Sequence, residues 1–349
     1  MSTTAQADRQ QVDRKVVEAP KRGLAKFNIQ LENIASAVVL VGLVIVLSLV
    51  SPAFLSFSNF LDIARVVSIT GIIAAGMTLV IITGGIDLSV GSTVGLVGAV
   101  TASLVAGSAS NSHFVTDFKL PVPLAVLVGL AVGSLIGFIN GLIITKTKIE
   151  PFMATLGSMI FVKGLLYLFT GGYPVHFDPM PHAFAFIGQG ALLGIPTPVW
   201  LFAIVVAVLW WISRRMSVGR AIYAIGGNPE AARLSGLKVD RTKIFVYTLL
   251  GLLAGLAGVI LTSRLASADT VNGSGYELIA ISGVVIGGTS LVGGRGSVIS
   301  SLIGVFTVGV IQNALNLFGA STQVQYVVTG LVLLAAISLD GIARRRRRS

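Results

Sequence analysis

Apolar runs at 34–50, 66–83, 88–107, 122–144, 152–170, 199–213, 244–262, 278–293, 298–317 and 324–339 dominate this chain, and a single charge, Lys163, interrupts them. A helix needs about 20 mostly apolar residues to cross a bilayer. Of the 349 residues, 11% are charged, against roughly 25% in a soluble domain, so such a chain cannot cover its surface in water. Lipid is the solvent that suits it. Of the 41 glycines, 23 sit within the apolar runs, where they let membrane helices approach closely. The expected fold is all-α, a polytopic membrane protein with about ten transmembrane helices. Gly293, Gly294, Arg295 and Gly296 leave two readings open for the runs they separate: a simple turn, or a broken, re-entrant helix.

The net charge of +11 raises nucleic-acid binding as a possibility, but the basic residues sit in short segments between apolar runs, so no nucleic-acid partner is expected. With the N-terminus in the cytoplasm, 21 of the 25 basic residues fall on the inner side. They are Arg9, Arg14, Lys15, Lys21, Arg22 and Lys26, then Lys146 and Lys148, then the seven between Arg214 and Lys243, then Arg295 and Arg344 to Arg348. Only Arg65, Lys119 and Arg264 fall outside, with Lys163 inside a run. Positive residues concentrate on the cytoplasmic side, which predicts an even number of spans and both termini in the cytoplasm. The organisation that follows is an N-terminal tail 1–33, a membrane domain 34–340 with a cytoplasmic loop 214–243, and a basic tail 341–349. The tail is polar through Glu32, unlike a cleavable signal peptide. The longest outer loop, 171–198, carries five prolines and no Lys or Arg.

The absence of cysteine excludes disulfides and thiolate chemistry. His113, His176 and His182 lie in outer loops, and His176 with His182 lacks a third ligand, so no metal site is expected. All fourteen acidic residues fall in tails, loops or span ends, among the last Asp87, Glu277 and Asp340. Ion-coupled carriers usually bury such groups in their spans, so the expected pathway is uncharged and suits a neutral solute. No phosphate-binding G-x-x-x-x-G-K-[ST] loop occurs. The chain cannot hydrolyse ATP alone, is not expected to be an enzyme and needs no cofactor of its own.

Within the cytoplasmic loop, Gly226 to Leu237 reads as a short capped helix. Asn228 suits the N-cap and Pro229 the first helical position. Glu230 complements the helix dipole, and Gly236 suits the left-handed end. On these signals alone a lever acting on the flanking spans and an ordinary surface helix are equally open.

Glu230-Ala231-Ala232, followed by three residues and then Gly236, resembles the EAA-type loop of bacterial importer permeases. The run Gly76 to Ser92 is very similar to the signature of the ribose-type monosaccharide permeases of the ABC transporter superfamily. So are Asn140-Gly141, Glu150-Pro151-Phe152, Gly287 to Gly296 and Asn313 to Leu317. The likeness covers nearly all of 34–340; Ser300-Ser301 departs from the usual Gly-Thr while keeping small residues. The resemblance implies a permease subunit of the bacterial inner membrane, working by alternating access. It implies a coupling helix formed by Asn228, Pro229, Glu230, Ala231, Ala232, Arg233, Leu234, Ser235 and Gly236. The implied partners are an ABC ATPase subunit that binds ATP and Mg, a periplasmic sugar-binding protein, a second permease copy and membrane lipid. The implied substrate is a monosaccharide, with a nucleoside, autoinducer or amino acid as alternatives, and an ion-coupled carrier as a rival.

Candidate pathway or gate residues are Thr83, Asp87, Asn140, Gln312, Asn313 and Asn316. Asp87 either caps the helix after it or contacts substrate near the inner mouth. Each amide either bonds between helices or lines a polar passage. Lys163 must reach a polar partner, water or the interface. The five terminal arginines either bind anionic lipid or fix topology.

Overall fold

The computed structural model describes residues 22–107 and 118–348. Arg9, Arg14, Lys15, Lys21 and His113 lie outside the described residues. The helices are α1 Arg22–Val50, α2 Phe57–Ile82, α3 Val90–Ala106, α4 Val122–Thr147, α5 Pro151–Thr170, α6 His182–Gln189 and α7 Thr197–Arg215. After them come α8 Ser217–Gly227, α9 Pro229–Leu234, α10 Val239–Leu265, α11 Tyr276–Ile286, α12 Val298–Leu317 and α13 Thr322–Arg348. Every apolar run of the sequence overlaps a helix. Among the described residues, six helices (α2, α4, α5, α7, α10 and α12) are long and apolar enough to cross a membrane. The remaining runs are shorter apolar stretches at Ser36–Val50, Val90–Ala106, Tyr276–Ile286 and Gln323–Ala335.

Four segments carry detail that the sequence reading did not specify. The tail expected at 1–33 is helical from Arg22, continuous with the first apolar run. The basic end expected as a separate tail continues α13 to Arg348. The loop 171–198 holds α6 and two short strand pairs. One of them joins β1 (Val175–His176) to β4 (Ser267–Ala268), just past α10; the other joins β2 (Ala191–Leu192) to β3 (Ile195–Pro196). Finally, the run 278–293 is only partly helical. α11 has 11 residues, roughly 16 Å at 1.5 Å per residue, and the chain leaves the helix at Gly287. Positive φ at Gly288, Gly293 and Gly294 (85°, 93° and 73°) is backbone that only glycine adopts without strain.

α2 forms the centre. Every residue from Val67 to Thr83 is buried, as a helix apolar on all sides requires. α10 packs beside it. α4, α5, α7 and α13 expose large apolar side chains such as Leu127, Ile160, Trp211 and Leu331, a surface suited to lipid.

Glycine sets the tightest contact. Gly129, Gly133, Gly137 and Gly141 follow at intervals of four, one ridge along α4. A Cβ at Gly137 would fall 2.2 Å from the Tyr247 carbonyl oxygen, and one at Gly133 2.5 Å from that of Gly251. The backbones of α4 and α10 therefore touch, which is how helices associate where lipid weakens the hydrophobic drive between them. Near the start of α12, Ser300 and Ser301 do a similar service. A Cβ at Gly287 would meet the Ser300 carbonyl at 2.3 Å, and Ser301 Oγ lies 3.2 Å from Thr289 Oγ1.

Gly137→Val should destabilise the chain by about 1–3 kcal/mol through overpacking. Gly157→Ala, with open space around it, should be neutral or slightly stabilising. Melting in detergent measures both; equal midpoints for the two variants would contradict the seam.

Candidate functional site

A cavity of about 670 Å³ lies between α2, α11, α12 and α13. It collects Gln312, Asn313 and Asn316 along one side of α12, with Asn59, Tyr276 and Gln325 opposite. Asn313 Nδ2 donates to Asn59 Oδ1 at 2.7 Å, and Asn59 Nδ2 donates back to Asn313 Oδ1 at 3.1 Å. Gln325 Nε2 donates to Asn316 Oδ1 at 2.8 Å. Asn313 and Asn316 thus clasp neighbouring helices and line the cavity together. Gln312 lines it with no hydrogen bond to a described residue.

A second cavity, about 260 Å³, sits between α3, α5 and the start of α11. Ser274 borders both cavities. Here Lys163, which had no partner in the sequence, shares a wall with Glu277, Ser92, Thr270 and Asn272. Glu277 therefore borders a cavity between helices. Glu277 stands at a helix start as expected, but the preceding segment folds against α3. A Cβ at Gly91 would meet Glu277 Oε2 at 2.1 Å and the Gly273 carbonyl at 2.5 Å, and one at Gly95 would meet the Asn272 carbonyl at 2.9 Å. Two signals in the sequence pointed here: a lone lysine within an apolar run, and glycines at 273 and 275 just before an acidic residue.

Asp87 and Asn140, distant in sequence, meet in a buried knot on the loop joining α2 to α3. Asp87 Oδ1 accepts from the Ser89 backbone N–H at 2.8 Å and from its hydroxyl at 2.7 Å. Asn140 Nδ2 donates to Ser89 Oγ at 2.9 Å and reaches Asp87 Oδ2 at 3.5 Å. Asn140 Oδ1 is buried without a partner. Asp87 thus orders the turn before α3 and makes no cap to the helix itself. The adjoining Ile86 carbonyl accepts from Tyr247 Oη at 3.2 Å and Thr155 Oγ1 at 3.3 Å. Thr83 turns inward, donating to the Val80 carbonyl at 2.7 Å. Burial pushes the Asp87 carboxyl above the usual carboxylate range, with the Ser89 hydroxyl, the Ser89 amide and Asn140 pulling the other way.

The short helix α9 forms as expected. Asn228 Oδ1 accepts from the Glu230 and Ala231 N–H groups, both at 3.0 Å, and Gly236 closes it at φ 81°. Arg233 Nη1 bonds Glu230 Oε1 at 2.8 Å on the exposed side, beside Leu234, which is 90% exposed. Ala232 is buried against Ala221, Ile225 and Val239. Through α8 this helix is joined to the bundle. Gly226 lies so close to Ile82 that a Cβ would sit 1.7 Å from its carbonyl oxygen. That carbonyl also accepts from Gly294 N–H at 2.8 Å, and Tyr223 Oη donates to the Gly296 carbonyl at 2.9 Å.

A family model described as "Branched-chain amino acid transport system / permease component" matches residues 59–337. The ribose import permease protein of Haemophilus influenzae is 44% identical over 307 residues, covering 87% of this chain and 92% of that protein. That of Bacillus subtilis is 45% identical over 298 residues, covering 85% and 89%. The L-arabinose transport system permease protein of Escherichia coli is 35% identical over 298 residues, covering 85% and 87%. No solved structure matches the chain.

Asp87→Ala, which orphans Ser89 and Asn140, should cost about 1–3 kcal/mol, while Asp87→Asn keeps an acceptor and should cost less. The raised pKa means that the folded state holds this proton more tightly than the unfolded chain. Its contribution to stability is full below the unfolded pKa and is lost as pH rises through the folded pKa. Asp87→Asn should flatten that stretch of the melting-temperature profile; an unchanged profile would contradict the buried charge.

Proposed function

Because this chain belongs to the permease-component family of branched-chain amino acid transport systems, we propose that it is the membrane-spanning permease of an ATP-binding cassette importer for a ribose-like monosaccharide. The six long and four shorter apolar helices make ten spans, with both termini and the 214–243 loop in the cytoplasm. Residues 34–340 form the membrane domain.

The observation that carries this reading is the pair of polar cavities whose linings share Ser274. Amides, hydroxyls and two pairs of opposite charges, Asp62 with Arg264 and Lys163 with Glu277, gather there between largely apolar helices. Hydroxyl-rich neutral solutes can exchange hydrogen bonds with such groups one at a time, and no single site need hold them tightly. The same polar groups are costly to leave against lipid. A second permease copy covering the surface between α5 and α13 would remove that cost and enclose a central passage, with a periplasmic sugar-binding protein above it. The Asp87–Asn140 knot and Thr83 form the inner gate.

Energy enters from below. α9, from Asn228 to Gly236, docks on a separate ATPase subunit that carries the ATP and magnesium. Movement of α9 reaches the core through Gly226, Ile82 and Gly294, and the bundle alternates between outward and inward openings. The substrate crosses chemically unchanged.

In vesicles containing the full importer, Ala232→Pro removes the Ala232 N–H bond to the Asn228 carbonyl and should break α9. It and Glu230→Lys should each insert normally yet lower ATP-driven ribose uptake about tenfold or more, a change worth ~1.4 kcal/mol, while ATP hydrolysis continues. Unchanged uptake would remove the coupling role from α9. Ribose accumulation by this chain alone, without the ATPase, would overturn the whole reading.

A further inference from the structure

A third cavity, about 750 Å³, opens where the end of α4 meets the start of α10, beside α9. Lys146, Arg233, Lys238 and Arg241 line it, with Asp240 as its one acid. Asp240 is engaged by Arg233 Nη2 at 3.6 Å, and Arg233 is also held by Glu230. Lys146, Lys238 and Arg241 therefore have no carboxylate partner among the described residues. Three unneutralised cations around one cavity call for an anion.

The other wall is apolar. Phe138, Leu142, Ile244 and Phe245 line it, and Phe138 and Phe245 remain 41% and 40% exposed. Exposed apolar surface continues along α4 through Ile139 and Leu135, away from the cations and toward the middle of the helix. Lys146 lies eight residues beyond Phe138, roughly 12 Å along the helix. Cations at the helix end and an oily strip running into the span match a molecule with an anionic head and a hydrocarbon tail. Inorganic phosphate or a soluble anion would leave the strip bare.

We propose that this cavity is a binding site for an anionic phospholipid of the cytoplasmic leaflet. The headgroup phosphate sits among Lys146, Lys238 and Arg241, and an acyl chain lies along Phe138, Leu142 and Phe245. The bound lipid bridges α4 to the junction of α9 and α10, so it steadies the base of α9. The placement in the cytoplasmic leaflet rests on the topology proposed above. Lipid retention can be measured without any transport, so failure of this site and failure of the transport reading are distinguishable.

The test uses the full chain in detergent, stripped of lipid and supplied with phosphatidylglycerol or phosphatidylcholine, with bound lipid counted by native mass spectrometry. A variant with Arg344 to Arg348 replaced by glutamine removes lipid binding by the terminal arginines, and all site variants are made in that background. Each cation near an anionic headgroup is worth about fivefold in binding. Lys146→Gln/Lys238→Gln/Arg241→Gln should therefore weaken phosphatidylglycerol about a hundredfold and leave phosphatidylcholine unchanged. If the triple variant does not fold, Lys238→Gln alone should show about fivefold. The proposal is overturned if the variants hold phosphatidylglycerol as tightly as their parent, or if the parent holds both lipids equally. Displacement by inorganic phosphate as effective as by lipid would also overturn it. So would normal lipid binding combined with loss of the ATPase subunit, which would assign the surface to that protein.

Discussion

Backbone that leaves a helix where packed neighbours exclude water must be satisfied by protein groups. This chain leaves its helices in three places within the bundle: between α2 and α3, before α11, and between α11 and α12. Each departure is answered by named donors and acceptors. The Ile86 carbonyl is taken by Tyr247 and Thr155, and the Ser89 amide by Asp87. Before α11, Asn272 Nδ2 donates to the Ser267 carbonyl at 3.3 Å. Between α11 and α12, the Ser290 N–H reaches the Arg295 carbonyl at 3.1 Å, and the Gly294 N–H reaches Ile82. The short helices α3 and α11 exist because these interruptions are tolerated, and the polar cavities exist because those helices stop short.

The interruptions hold only if the surrounding helices are fixed, and glycine does the fixing. Along α4 and α10 the backbones lie in contact, so neither helix can slide without a clash. Where the chain turns back at Ile82, Gly226 and Gly294 come together at the same carbonyl. A push on α9 therefore meets backbone, with few flexible side chains between. The same scarcity of side chains makes this junction intolerant of substitution, since a Cβ at Gly226 has no room.

Two kinds of polar residue share the interior. Asn59, Asn313, Asn316 and Gln325 pair with one another across helices, which stabilises the bundle and still leaves polar edges on the cavity. Lys163 and Glu277 border a cavity together without forming an ion pair within 4 Å among the described residues.

Much of this was legible in the sequence for simple reasons. Hydrocarbon demands apolar length, so each apolar run supplies all or part of a helix. Capping depends on neighbours within a few residues, so α9 could be drawn from Asn228, Pro229 and Gly236 alone. The four-residue spacing of Gln312 and Asn316 put both on one cavity. What the sequence could not supply was depth and partnership. It placed Glu277 at a span end, and only the inward fold of residues 269–275 brought that carboxylate beside the lysine cavity. It left Gly293 to Gly296 open between a turn and a broken helix, and only the packing showed that the segment is held by Ile82 and Tyr223. Asp87 and Asn140 are 53 residues apart, and nothing in local pattern joins them. Sequence alone determined the solvent, the helices and their caps, because these obey short-range rules; tertiary structure decided which polar groups meet, because that depends on how separate helices pack.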